Sequence, residues 1–348
     1  MAHRYYRPEL DVLRFFAFFL VFLSHTVPGD APFWIVSFAA GGAFGVDLFF
    51  ALSSFLITTL LLRERDAGGT VDVTAFYMRR ILRIWPLYFV FLLVVAPLMS
   101  YVLADENMPL KHTAAFLLLA GNWACVLWGY PHSVAGPLWS VSMEEQFYLV
   151  WPWVMRRFGA NLVVVAVVML ALSFVVRVYL VMDGAVHPQI WCNTLARLDP
   201  IACGAILAVI VKRREIALSS VTRVVLVLLA IAGLAVAGRY GDFTGVKSLV
   251  TFPAVTVVCA ALFLATLGLP APRPLVYLGR ISYGLYVFHL TFVMLFDVGN
   301  THDPVERMIR IVLTLAATIA AAAVSYHLLE RPFLRLKERF AHVPSRPV

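Results

Sequence analysis

Residues 161–176 read NLVVVAVVMLALSFVV, a run without a single charged side chain. A soluble core can bury one such helix. This chain repeats the pattern about ten times in segments near the ~20 residues needed to cross a bilayer, which demands lipid as solvent. The bulk numbers agree. Of 348 residues, 61% are hydrophobic and 14% charged, against about 25% charged in soluble domains, and the mean hydropathy is +0.85. The reading is an all-α integral membrane protein, a bundle of about ten transmembrane helices. They are placed at 10–27, 44–62, 80–102, 139–155, 161–182, 194–211, 221–238, 248–267, 279–298 and 307–329. One further apolar segment, 112–128, is expected to re-enter or lie in the interface.

Charge sets the orientation. The block Lys212-Arg213-Arg214-Glu215 marks a cytoplasmic loop, because Lys and Arg collect on that side. Counting spans from it puts both termini, and the loops at 63–79 and 212–220, in the cytoplasm. Both flanks of 112–128 then lie outside, which is why that segment is not expected to cross. Few of the 28 Lys and Arg escape this pattern: the outer loops hold Lys111, Arg239, Lys247, Arg307 and Arg310, and Arg14, Arg177 and Arg197 sit within spans. The net charge of +8 is therefore an orientation signal, not a nucleic-acid footprint. The basic, apolar N-terminus is read as a retained first span, since Asp11 and Arg14 interrupt it and no small-x-small cleavage site follows. Residues 1–333 are expected to be membrane-embedded and 334–348 a short cytoplasmic tail. The four cysteines lack metal or redox spacing and read as small hydrophobes.

Ionisable groups within spans are costly and are candidates for function. Arg14 and His25 are on one face of the first helix, about 20° apart and roughly 16 Å along its axis. Asp11 lies three residues before Arg14, where it can pair with it. Asp47 enters the second span from outside, and Glu144 and Glu145 enter the fourth. The reading places these three acids near His25, one of them orienting the imidazole as a general base. The bland alternatives are a snorkelling Arg14, a helix-capping His25 and acids that favour helix N-termini. Arg79, Arg80 and Arg83, in FYMRRILRIW, form a cytoplasmic cluster suited to phosphate oxygens or to simple positive-inside anchoring. Arg197 and Asp199 are embedded later, Ser282, Tyr286 and His289 fall near one face of the ninth span, and Tyr326 and Glu330 close the last. No Walker loop, GxGxxG, HExxH or GxSxG occurs; neither a metal nor a nucleotide-driven pump is expected.

Seven segments in order then carry a resemblance: RPELDVLRFFAFFLVFLSH, GVDLFFALSSFLI, FYMRRILRIWPLY, LWSVSMEEQFYLVWP, RLDPIACG, GRISYGLYVFHL and SYHLLERP. Together, over about 7–333, they resemble acyltransferase family three. The resemblance implies ten spans and transfer of an acyl group from cytoplasmic acyl-CoA, usually acetyl-CoA, to a carbohydrate or similar hydroxyl-bearing acceptor. It matches His25 to a histidine regarded as catalytic, Arg14 and the arginines of RRILR to donor-linked residues, and Glu144 to the acid of the WS-containing motif. One departure is visible. Where the family has Ser-Gly before an aromatic, this chain reads Ser53-Ser54-Phe55, which questions local packing more than activity. Some family members carry a fused esterase-like domain, and none is expected here.

The expectation is thus a multi-pass O-acyltransferase of the inner (cytoplasmic) membrane. His25, Asp47 and Glu144 are catalytic, and Arg14, Arg79, Arg80 and Arg83 hold the donor. Asp11, Glu145, Arg197, Asp199, Ser282, Tyr286, His289, Tyr326 and Glu330 are candidates for the acceptor. The acceptor is expected only as a class: O-antigen or other lipopolysaccharide sugar, exopolysaccharide, lipid-linked sugar, or a small molecule such as a macrolide antibiotic. Glycan-assembly enzymes are the protein partners this implies, and nucleic acid is not one. A secondary transporter is the rival of a different class; it would show two related halves or matched broken helices.

Overall fold

A computed structural model describes residues 5–103, 108–301 and 303–343. Within them every regular element is helical. The helices are α1 (Pro8–Thr26), α2 (Phe33–Gly41), α3 (Gly45–Gly68), α4 (Val73–Val90), α5 (Ala96–Leu103), α6 (Leu110–Leu117), α7 (Gly121–Trp128), α8 (Leu138–Phe158), α9 (Leu162–Met182), α10 (Asp199–Arg213), α11 (Ser220–Tyr240), α12 (Ser248–Thr266), α13 (Arg273–Arg280), α14 (Ser282–Leu295), α15 (Pro304–Ser325) and α16 (Arg331–Lys337).

Six of these stretches are long and apolar enough to cross a membrane, and a seventh if α13 and α14, bent by 71° at Ile281, count as one. A helix stands at each of the ten expected positions. Three fall short of the simple criterion for legible reasons. Helix α1 carries Glu9, Asp11 and Arg14, α8 carries Glu144, Glu145, Arg156 and Arg157, and α10 has only 15 residues. The segment 112–128 is two eight-residue helices, α6 and α7, joined through Leu119 at φ 56°. At 1.5 Å per residue each is only about 12 Å long, too short to span.

Long-range contacts sort the connections into two ends. At one, Glu9 accepts the Gly268 N–H (3.1 Å), Asp66 pairs with Lys212 (2.5 Å), and Arg79 bridges Glu64 and the Phe340 carbonyl (2.9 and 2.7 Å). At the other, Arg307 pairs with Asp30 (2.8 Å), and the His187 ring lies 5.7 Å from Tyr130 and 5.8 Å from Phe243. The loops at 63–79 and 212–220 therefore share one end, which we call the basic end.

Helix α10 is short because 183–198 is irregular apart from one 3-10 turn at Leu195–Arg197. Irregular backbone at membrane depth needs protein partners, and buried polar side chains provide them. Arg177 donates to the Ala196 carbonyl (2.7 Å), Arg197 to that of Trp191 (3.0 Å), and Asn122 to that of Cys192 (3.1 Å), while Asn193 accepts from Leu195 N–H (2.9 Å). Helix α1 is held at two close approaches. A Cβ on Gly45 would sit 2.3 Å from the Ala17 carbonyl oxygen, and one on Gly279 would sit 1.8 Å from that of Asp11. The register of α1, and so the placing of Arg14 and His25, leaves no room for a side chain at either point. Ser54, where the family has glycine, donates to the Ile201 carbonyl at 2.6 Å, so the departure is absorbed as a hydrogen bond between α3 and α10.

Candidate active site

Two large cavities penetrate the bundle from opposite ends. The first reaches the basic end and is bounded by α1, α3, α4, α8 and α14. Its walls include Arg7, Arg14, Arg80, Arg83 and Lys337, together with Asp11, Glu144, Ser53, Tyr148 and Ser282. The second opens at the other end and is lined by His25, Ser24, Ser133, Tyr130, Trp139, His187, Trp191 and Phe243. Among its described lining residues there is no carboxylate, lysine or arginine. Burial pushes the His187 imidazole, in the loop before α10, below its ordinary value, which favours the neutral ring. Val46 and Tyr286 line both cavities. The Tyr286 hydroxyl is fixed there by Ser140 Oγ (2.8 Å) and by donation to the Pro137 carbonyl (3.1 Å).

His25 is solvent-accessible within the second cavity. Its Nδ1 lies 2.9 Å from the Val21 carbonyl oxygen. A carbonyl can only accept, so Nδ1 carries the proton in the neutral ring and Nε2 keeps its lone pair. His289 packs edge-on against it, with ring centroids 5.1 Å apart. It is fully buried, its Nδ1 lies 2.6 Å from the Tyr286 carbonyl, and its Nε2 has no hydrogen-bond partner among the described residues.

The expected gathering of acids around His25 does not form. Asp47 turns to Arg197 (2.6 Å), whose guanidinium packs against the rings of Trp191 and Phe252 at 4.1 and 4.6 Å. Glu144 lines the first cavity with Arg14 and Arg80. Glu145 accepts from Trp85 Nε1 at 2.9 Å. A backbone carbonyl, not an acid, orients the imidazole. Arg197 and Asp199 belong to the buried scaffold rather than to a cavity. Asp199 is gripped by both terminal nitrogens of Arg177, one at 2.9 Å, and accepts from Ser173 at 2.7 Å. Placing such groups in lipid is tolerable only when they are paired and hydrogen-bonded, as here.

The arginine cluster divides as well. Arg79 is neutralised by Glu64 and tied to the C-terminal segment, while Arg80 and Arg83 face the first cavity. Arg14 joins them, paired with Asp11 at 3.3 Å, and Asp11 also accepts from Tyr6 at 2.9 Å. Ser282 lines the first cavity and Tyr286 lines both. Tyr326 instead packs among Phe18, Phe22, Ile281 and Leu285, and Glu330 accepts from Ser325 at 3.2 Å. Lys337 and Arg7 were missed because each follows or precedes the spans. The aromatic wall of Trp139, Trp191 and Phe243 was missed because its members come from three separate segments. The tail expected at 334–348 is folded onto the basic end as far as residue 343; 344–348 lie outside the described residues.

Several known proteins are similar to this chain. A Staphylococcus aureus (strain MRSA252) protein provisionally named an O-acetyltransferase is 26% identical over 98% of this chain and 60% of its own length. A Bacillus subtilis (strain 168) protein provisionally named a peptidoglycan O-acetyltransferase is 28% identical over 95% of this chain and 55% of its own. The peptidoglycan O-acetyltransferase of Listeria monocytogenes is 27% identical over 94% and 56%. The chain thus spans between about half and two thirds of the length of these relatives. No solved structure matches it. The family described as "Acyltransferase domain" matches residues 7–329, almost the whole chain, and with motifs and helices in place across that span the chain belongs to this acyltransferase family, the third of its name.

Proposed function

We propose that this chain is a membrane-bound O-acyltransferase that takes an acyl group, acetyl in the simplest case, from a cytoplasmic CoA thioester and places it on a hydroxyl of a carbohydrate beyond the membrane. The observation that carries the reading is the pair of cavities, cationic at the basic end and uncharged with an open imidazole at the other, which meet at Val46 and Tyr286. Ten crossings with both termini cytoplasmic, in the cell's inner membrane, would put the cationic cavity toward CoA.

Arg14, Arg80 and Arg83 hold the donor's phosphates, since planar guanidinium groups match phosphate oxygens. The thioester reaches toward Tyr286 between the cavities. In the outer cavity His25 Nε2 takes the acceptor's hydroxyl proton. The oxygen attacks the thioester carbonyl, a C–O bond forms, the C–S bond breaks, and the CoA thiolate leaves to be protonated. Such base catalysis supplies about 10²–10⁴-fold. The aromatic, uncharged wall suits a sugar ring, which stacks on aromatic faces, and the relatives named for peptidoglycan support a cell-envelope glycan over a macrolide as the acceptor class.

Back-to-back cavities that share Val46 and Tyr286 also suit a secondary transporter, and one experiment separates the readings. Purified protein is placed in vesicles with acetyl-CoA inside and a chitooligosaccharide outside. The enzyme releases CoA thiol inside and acetylated sugar outside in equal amounts. Thiol release no greater than in empty vesicles, at any acceptor concentration, overturns the proposal.

A further inference from the structure

The cations of the first cavity are not all neutralised by the protein. Arg7 pairs with Glu9 and Arg14 with Asp11, while Arg79, outside the cavity, pairs with Glu64. Arg80, Arg83 and Lys337 make no ion pair among the described residues, and Arg80 Nε is buried without a hydrogen-bond partner. Lys337 is the unexpected member. It stands on α16, yet it is only 8% exposed and lines the cavity together with Arg80 and Arg83. It also borders a smaller crevice between Glu64, Arg79, Arg80, Ala341 and Val343. A lysine serving as a membrane-surface anchor keeps its ammonium in water; this one is turned inward. Buried like charges repel and each pays a desolvation cost, and Glu144 on the same wall sets a single carboxylate against the three cations, so an anion bound between them would relieve the repulsion.

The C-terminal segment is placed to deliver this residue. Helix α16 packs on α4, the helix of Arg80 and Arg83. Beyond it, the Phe340 carbonyl accepts from Arg79 at 2.7 Å and His342 Nε2 lies 3.1 Å from Asp72 Oδ2. The arginine that the cluster withholds from the cavity is thus the one that fastens the segment.

The geometry points to Lys337 as a fourth phosphate-binding cation of the donor site, beside Arg14, Arg80 and Arg83, brought there by a C-terminal segment, 331–343, that is part of the site. The inference rests on the donor reading above, a CoA thioester in the first cavity. The test uses the full chain in lipid nanodiscs and CoA itself as probe, with dissociation constants measured by calorimetry at several salt concentrations. Lys337→Met, which keeps the packed stem, should weaken CoA roughly 10- to 100-fold, as the loss of one charge-assisted contact to phosphate does, and flatten the salt dependence. Lys337→Arg should restore most of the affinity. Unchanged CoA affinity in folded Lys337→Met overturns the inference and leaves the donor reading standing. Failure of the unaltered protein to bind CoA removes both. If Lys337→Met does not fold, amine labelling of the unaltered protein decides: CoA should slow modification of Lys337 and not of Lys212, and equal rates with and without CoA overturn the inference.

Discussion

Replacing Asp47 by Asn tests what this carboxylate is for. In the structure it neutralises Arg197, which is fully buried against Trp191 and Phe252. At an effective dielectric of ~20 and ~4 Å between charge centres, the attraction is about 4 kcal/mol, offset by the cost of desolvating both ions. Removing one partner is harsher than this net sum suggests, because it leaves the other charge buried alone. Such losses run to about 3–5 kcal/mol. Asn keeps an acceptor oxygen, so Asp47→Asn should fall near the lower end, about 3 kcal/mol. Unfolding in detergent, followed by tryptophan fluorescence against denaturant, measures it directly. Arg197→Gln should cost a similar amount, and the double variant should cost less than the two together by more than about 1 kcal/mol. The pH midpoint of transfer should not move in Asp47→Asn, because His25 is oriented by the Val21 carbonyl. A variant of unaltered stability whose pH midpoint shifts would refute this reasoning and return Asp47 to the side of His25.

His25→Gln should lower transfer by at least about 10²-fold while leaving the CoA dissociation constant within experimental error, since the amide can replace the bond to Val21 but cannot accept the hydroxyl proton; substantial turnover would pass the role of base to His289. Asp72, outside the spans, caps α4: its carboxyl is held below its ordinary value by donation from the Ala75 N–H first and by His342 second. A depressed carboxylate contributes stability that is present above the unfolded value of about 3.9 and is lost as pH falls through the folded one. Asp72→Ala should therefore cost about 0.5–2 kcal/mol at pH 7 and flatten the loss of stability below about pH 4; an unchanged acid limb in the unfolding curve would remove the cap from the account.

Elements whose signal is local were legible in the sequence. The apolar runs, the charge asymmetry and the interrupted segment 112–128 each follow from residues close together, and so does the shared face of Arg14 and His25 on one helix. What escaped was pairing across the chain. Asp47 and Arg197 are 150 positions apart, and nothing local says that an acid entering α3 will turn toward an arginine before α10 rather than toward a histidine on α1. Arg79 and Arg80 look equivalent in sequence; one residue is 100° around the helix, and that rotation sends one to Glu64 and the other to the cavity. Depth was misread for the same reason. Glu144 lies only two turns into α8, but its face meets Arg14, so it serves the cationic cavity.

The division of charge between the cavities constrains how a transfer could cross the membrane on the proposed reading. Phosphates held among Arg80, Arg83 and Lys337 have no matching cation beyond Tyr286, because the described walls of the outer cavity carry none. Moving a CoA polyanion outward would strip it of these contacts at about 1.5–3 kcal/mol each and leave it in an uncharged space. The donor's head is therefore pinned, and only the neutral acyl end can advance. The partition at Tyr286 need open no wider than that end requires. With its hydroxyl held by both Ser140 and the Pro137 carbonyl, Tyr286 is better suited to a fixed narrow port than to the wide alternation a transporter demands. Acyl transfer across the bundle thus needs no passage of either whole substrate, only the meeting of two ends beside His25.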